Sequence, residues 1–348
     1  MLDTDTHDPA PEDAFARPRI DEETHPVFNG LFVLPTRACL ALLDYIIFFV
    51  AMRMSAAFVA PPRYGKTMAG EFIKIHIPKE GAKGARVYKI DMAYYKHSTK
   101  NNFFEHLLKQ VKHALWNEGK HAAKVDRFKA FLIDAARANK VTRVVLLFDE
   151  AQLLTIEDFE WLKEVHNELE KEHVKMITFL FGQRELEARR EVLKDLNRPD
   201  ITARFMFKIF NFPGIDSEDD LQVLMDCYDH ESEFPEGSGW SYTRFFWPAA
   251  FEAGWRLSSE ANTLWKHLTA ARSKAGLRGP FTMEIVVRVI EYVVRSAQSM
   301  ESKPPALAEL WPDAVESTYY ADAGQHSEAG ESAAETLALT CGVEHAAE

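Results

Sequence analysis

The chain has 348 residues, 47% of them hydrophobic, and a formal net charge of −12. That length exceeds one small domain and suggests two, with enough apolar content for a sizeable core. The overall charge excludes a simple polycation, yet it is unevenly placed: residues 301–348 carry −9 and residues 1–25 carry −6, leaving residues 26–300 at +3. Cys39, Cys227 and Cys341 are too far apart for a metal knuckle or a disulfide framework. The opening Met1-Leu-Asp-Thr-Asp is acidic and is no secretory signal, so the expected location is cytoplasmic.

In chain order, residues 1–25 are rich in Asp, Glu and Pro without periodicity and read as a flexible acidic arm. A helix is predicted over Thr36–Arg53. The apolar run Cys39–Ala60 holds Asp44 and Arg53, so it reads as a buried helix and a strand, with no membrane span. Short apolar strands then alternate with helical patterns. The strands are Ser55–Val59, Val87–Asp91, Val144–Phe148, Met176–Phe181 and Phe205–Phe210. The helices are Lys66–Ile77, Asn102–Asn117, Ala122–Asn139, Ile156–His173 and Arg184–Leu196, with Thr155 and Asp158 framing the fourth start. This alternation predicts an α/β domain over 26–213, a five-stranded parallel sheet flanked by helices. Residues 214–298 read as helices only: Asp219–Tyr228, a Trp- and Phe-rich stretch around Trp240–Trp255, Ser259–Ala275 and Thr282–Ser296. They form a small helical lid domain. Residues 299–348 are dominated by Ala, Glu, Ser and Gly and read as a mostly disordered acidic tail.

Two motifs carry chemistry. Ala60-Pro-Pro-Arg-Tyr-Gly65-Lys66-Thr67 lies between a strand and a helix and matches the phosphate-loop pattern, except that Ala60 replaces the first glycine. Because Pro61 and Pro62 lack N–H groups, the cradle must come from the backbone of Arg63, Tyr64, Gly65, Lys66 and Thr67, with Met68 following at the helix start. Lys66 is expected on the β- and γ-phosphates of ATP, and Thr67 on Mg²⁺. The second motif is Val144-Val-Leu-Leu-Phe148-Asp149-Glu150, an apolar strand ending in two acids. Asp149 is expected to hold Mg²⁺ and Glu150 to activate the attacking water. Gln183, after the strand Met176–Phe181, is expected on the γ-phosphate side. Arg204 is placed to act on a neighbour's ATP, and Arg278 or Arg288 to reach phosphate in the same chain.

Asp149-Glu-Ala-Gln-Leu-Leu154, then a helix and a strand ending Phe181-Gly-Gln-Arg-Glu-Leu186, resembles the AAA+ P-loop ATPases that accompany DNA transposases, of the TniB and TnsC type. His25-Pro-Val-Phe and Thr36 before a long helix are similar to the start of that group. The resemblance implies a cytoplasmic homo-oligomer, a ring or filament, that assembles with ATP on duplex DNA. It receives the target from a selector protein, engages transposase subunits, and disassembles on hydrolysis. It also implies DNA-facing residues in the loop Tyr94–Asn101, here Lys96, Thr99 and Lys100; the basic stretch Lys120–Arg127 is a second candidate. Two alternatives share the fold. One is an ATPase acting on protein partners, as in the secretion group of ExeA type, which shares both motifs. The other is a slowly hydrolysing nucleotide-switch scaffold, suggested by Ala60.

Overall fold

The structure, a computed structural model, describes residues 17–30, 32–81, 85–297 and 307–318. Five strands form one sheet: β1 (Ala56–Val59), β2 (Arg86–Asp91), β3 (Arg143–Asp149), β4 (Lys175–Gly182) and β5 (Ile209–Asn211). Their spatial order is β2-β3-β4-β1-β5, and every pairing is parallel. The helices associated with the sheet are α1 (Pro26–Asn29), α2 (Arg37–Met52), α3 (Lys66–His76), α4 (Lys100–Gln110), α5 (His121–Ala138), α6 (Ile156–Lys171), α7 (Glu185–Asp195) and α8 (Pro199–Phe205). The helical region comprises α9 (Glu218–His230), α10 (Tyr242–Phe246), α11 (Pro248–Glu252), α12 (Ala261–Lys274), α13 (Met283–Ala297) and α14 (Leu307–Ser317).

Alternation along the strands explains the layers. On β3, Val144, Leu146 and Phe148 pack with α4, α5 and α6, whereas Val145 and Leu147 pack with α2 and α3. Successive side chains point to opposite faces, so an uninterrupted apolar strand is one that is covered on both. The helix starts follow from local chemistry. The Thr36 hydroxyl accepts from the Cys39 amide, and Thr155 and Asp158 form a reciprocal capping box at α6.

Three expectations need correction. The last strand, expected over Phe205–Phe210, begins only at Ile209, and Pro199–Phe205 is helix instead. Pro199 is well placed at a helix start, and Ile201 and Phe205, four apart, bury one face of α8. Of the expected flexible arm over residues 1–25, residues 17–25 are placed: Asp21 caps a short 3-10 turn over Glu22–Thr24, and His25 is buried. Val27 and Leu34, which follow it, belong to the apolar core of the helical region, with Tyr228 and Trp247. Residues 1–16 lie outside the described residues. The expected tail contains α14, whose Leu307, Trp311, Ala314 and Val315 are buried in that same core. Its i, i+4, i+7 spacing was masked by the Ala- and Glu-rich composition around it; residues 319–348 lie outside the described residues. Among the described residues, no helix is long and apolar enough to cross a membrane.

His25 joins the N-terminal segment to the helical region. It is 0% exposed, and its ring centroid lies 4.4–4.8 Å from those of Phe234, Tyr242, Phe245 and Phe246. Its Nδ1 accepts the Val27 amide at 3.2 Å, capping α1. Burial, with a smaller contribution from Arg17, pushes the imidazole down to about 3, and the buried His166 falls to about 4. The unfolded chain therefore takes up protons below pH 6.5 that the folded chain refuses. Stability is complete above that pH and falls as pH drops toward the folded value, by at most about 1.4 kcal/mol per pH unit for each such histidine. Urea unfolding at about pH 7 and about pH 5 is expected to show this loss. His25→Asn, which keeps a capping acceptor, should flatten the slope by one proton's worth.

Candidate functional site

The parallel register brings the ends of β1, β2, β3 and β4 to one edge of the sheet. Val59 pairs with Gly182, Phe148 with Leu180, and Asp91 with Asp149. β4 lies between β1 and β3, so the turn at Gln183 falls between the loop after β1 and the acids after β3.

The loop after β1 ends in α3. Ala60 continues the ladder, its amide donating to the Gly182 carbonyl at 3.1 Å, and it is buried. It is absent from the described residues with positive φ, so the missing glycine costs no backbone strain. Gly65 has φ +89°, where glycine is needed, and Arg63 adopts φ +68° despite its side chain. Lys66 is buried, and its Nζ donates to the Ala60 and Pro61 carbonyls at 2.9 and 2.8 Å. Burial lowers its pKa, opposed by Glu150, then Asp149 and Glu185. Thr67 and Met68 open the first turn of α3, Thr67 at the surface. The amides of this first turn point out of the helix without intrahelical partners and suit an anion.

Asp149 is buried, and its Oδ1 accepts the Glu150 amide at 3.0 Å. Glu150 takes φ +51°, a left-handed backbone for a residue with a side chain. Its Oε2 accepts from the Gln152 amide group, and the Gln183 Nε2 is 3.5 Å away. The Gln152 Oε1 accepts the Gln183 amide at 3.1 Å. Gln152, the last residue of the Asp-Glu-Ala-Gln motif, thus clamps Glu150 and Gln183 together, a role that its place in the motif does not reveal. Lys89 was also missed. It is a lysine near the end of β2 whose side chain is largely buried, and its Nζ lies 3.6 Å from Asp149 Oδ2.

The helical region reaches the loop. Arg63 pairs with Glu284 at 3.2 Å, and the Glu284 amide donates to the Arg63 carbonyl. The Glu284 carboxylate also pairs with Arg288 at 2.5 Å, so Arg288 meets the loop through Glu284. Arg278 is exposed in the turn between α12 and α13.

Arg204 is remote from this edge. It lines a cavity of about 460 Å³ with Arg53, His166, Glu170, Lys175 and Phe207, beside the first residues of β1 and β4. The seven steps of β4 from Lys175 to Gly182 span roughly 23 Å. Arg204 is therefore out of reach of its own chain's Glu150. In the loop Tyr94–Asn101, Lys96, Tyr94 and His97 are exposed, whereas the Thr99 hydroxyl caps α4 and Lys100 pairs with Glu164 at 2.5 Å. In Lys120–Arg127, Lys124 is buried against Glu105, and Arg127 donates to the carbonyls of Leu115 and Glu118.

Residues 52–189 match the family model described as an AAA domain. No curated protein matches the chain by sequence. Among solved structures, the chain is similar to the ORC2 protein of Aeropyrum pernix in its ADPNP–ADP complexes, with a TM-score of 0.54 and 14% identity over 85% of this chain and 72% of that one. The ADP form of that protein gives 0.54 and 15% over 83% and 71%. At such identity the likeness is one of fold.

Gly214 joins the two regions. A Cβ there would lie 2.6 Å from the Phe281 carbonyl oxygen and 2.8 Å from the Tyr64 ring, too close for either to remain in place. Gly214→Ala is expected to lower stability by about 1–3 kcal/mol. It should also displace Tyr64, weakening binding of a fluorescent ATP analogue more than the stability loss explains; thermal melts beside equilibrium titration check this.

Proposed function

We propose that this chain, which has the AAA+ P-loop NTPase fold with a helical C-terminal region, is an ATPase that regulates DNA transposition as a homo-oligomer on duplex DNA. One observation carries the ATPase reading: the loop amides and Lys66, the acids Asp149 and Glu150, and Gln183 share one edge of the sheet. The A. pernix ORC2 structures contain ADPNP and ADP, which supports a nucleotide in the corresponding place.

The residues take these roles. The first-turn amides and Lys66 hold the phosphates, with Arg63, Tyr64 and Gly65 shaping the loop and Met68 backing it. The Thr67 hydroxyl and the Asp149 carboxylate are hard oxygen donors that fit Mg²⁺, which supplies charge neutralisation at the phosphates. Glu150, held by Gln152, accepts the proton of the attacking water, while Gln183 orients the γ-phosphate side. Arg204 serves a neighbouring copy, consistent with its place at the far edge of the sheet. Exposed Arg278 is free to approach phosphate if the helical region closes.

The transposition reading rests on the motif pattern shared with TniB and TnsC proteins. In the loop after β2, Lys96 is the residue that best supports DNA contact; Thr99 and Lys100 contribute once Glu164 releases the lysine. The internal bonds of Lys124 and Arg127 make their stretch the poorer surface.

Glu150→Gln is expected to cut turnover at least about a hundredfold while ATP still binds, whereas Lys66→Ala should lose binding itself. Mixing Arg204→Ala with Lys66→Ala protein should restore activity that neither has alone; no recovery would place Arg204 outside catalysis. Mobility shifts on duplex DNA should show ATP-stimulated binding that weakens with salt. Lys96→Glu should weaken it more than Lys100→Glu. Absence of DNA binding at low salt, with a captured protein partner, would favour the secretion-type alternative. The transposition assignment further requires ATP-dependent recruitment of a transposase encoded beside the gene.

A further inference from the structure

Lys89 is the feature that the roles above leave unused. Its side chain is only 7% exposed, and it stands between Tyr88 and Ile90 and opposite Leu147 of β3. Its Nζ lies 2.6 Å from Asp91 Oδ1, 3.4 Å from Glu71 Oε1 and 3.6 Å from Asp149 Oδ2. Room for its stem comes from Gly70 on α3, where a Cβ would lie 3.3 Å from Lys89 Cε. The helix after the phosphate loop thus yields space to this lysine. Asp149 has both oxygens engaged, Oδ1 by the Glu150 amide and Oδ2 by Lys89.

Three carboxylates around one ammonium leave an excess of negative charge made of hard oxygen donors, a composition that attracts divalent cations once the ammonium is removed. With Lys89 present, a divalent ion approaching Asp149 meets a fixed positive charge. At Asp149 itself the carboxylate and the Lys89 ammonium offset one another, and phosphate groups on the loop add the negative charge that draws the ion in. We propose that Lys89 is a built-in cation that balances Asp149 and makes divalent-ion binding conditional on nucleotide. This rests on the reading of Asp149 as the metal-holding acid.

The test is a Mn²⁺ titration of the full chain without nucleotide, read by the electron paramagnetic resonance of free Mn²⁺. Lys89→Met should bind Mn²⁺ at least about tenfold more tightly than the wild type, and Lys89→Arg should behave as the wild type does. Equal affinities for Lys89→Met and wild type overturn the proposal. A second measurement covers the case in which Lys89→Met does not fold: Asp91→Asn frees Lys89 to move onto Asp149. That change should raise by about threefold the Mn²⁺ concentration needed for binding a fluorescent ATP analogue; an unchanged or lower requirement counts against it. Asp149→Asn separates the two ideas. If the Mn²⁺ requirement for the analogue survives that change, the reading of the metal site fails. If it is lost while Lys89→Met remains wild-type in the nucleotide-free titration, Lys89 alone fails.

Discussion

The position of β4 between β1 and β3 is the constraint on which the candidate site depends. Parallel pairing forces all strands to end on the same edge, and short connections to the covering helices begin there. The loop that leads into the first turn of α3 and the pair of acids that begins 82 residues after Thr67 are thereby placed on either side of Gln183. An antiparallel neighbour would have sent one of them to the far edge. The apolar side chains of β3, packed on both faces, fix this register, because a slip of one residue would exchange the two faces.

The site is also tied to the helical region by contacts with different physical character. Glu284 meets Arg63 by charge, Phe281 and Ile215 exchange backbone hydrogen bonds, and Gly214 allows backbone and a tyrosine ring to approach where no side chain would fit. Exposed ion pairs such as Arg63–Glu284 contribute little to stability, so they can exchange partners easily. The backbone bridge and the close approach at Gly214 are less forgiving. The geometry of the loop after β1 and the placement of α13 are consequently coupled through a small set of atoms.

Much of the α/β region was legible because its signals are local. Strands buried on both faces are uniform apolar runs, and Thr155 with Asp158 announces a helix start. The loop after β1 and the acid pair after β3 stood out as candidates because such chemistry tolerates few residue types, and the sheet brings both to one edge. Legibility failed where local composition misled or where the outcome depended on distant partners. Phe205 was given to a strand because its neighbourhood is apolar, yet Pro199 and Ile201 make it helical. Trp311 was lost in a composition typical of disorder, although its ring is fully buried. Lys89 was given no role, since its significance lies in Glu71 and Asp149, on other elements. Gln152 was visible as part of a motif, but only the fold shows which two side chains it holds.

The burial of His25, Val27 and Leu34 among residues of the helical region has a temporal consequence. These residues leave the ribosome before any of the sheet, yet most of their partners lie beyond Tyr228, and Trp311 of α14 completes the same core. The α/β region, flanked in sequence by both contributors, has its own cores and can form while synthesis continues. His25 and its neighbours must wait, exposing apolar surface throughout, until the far side of their own core has been made. His25, Val27 and Leu34, made before the sheet, are among the last residues to find their place.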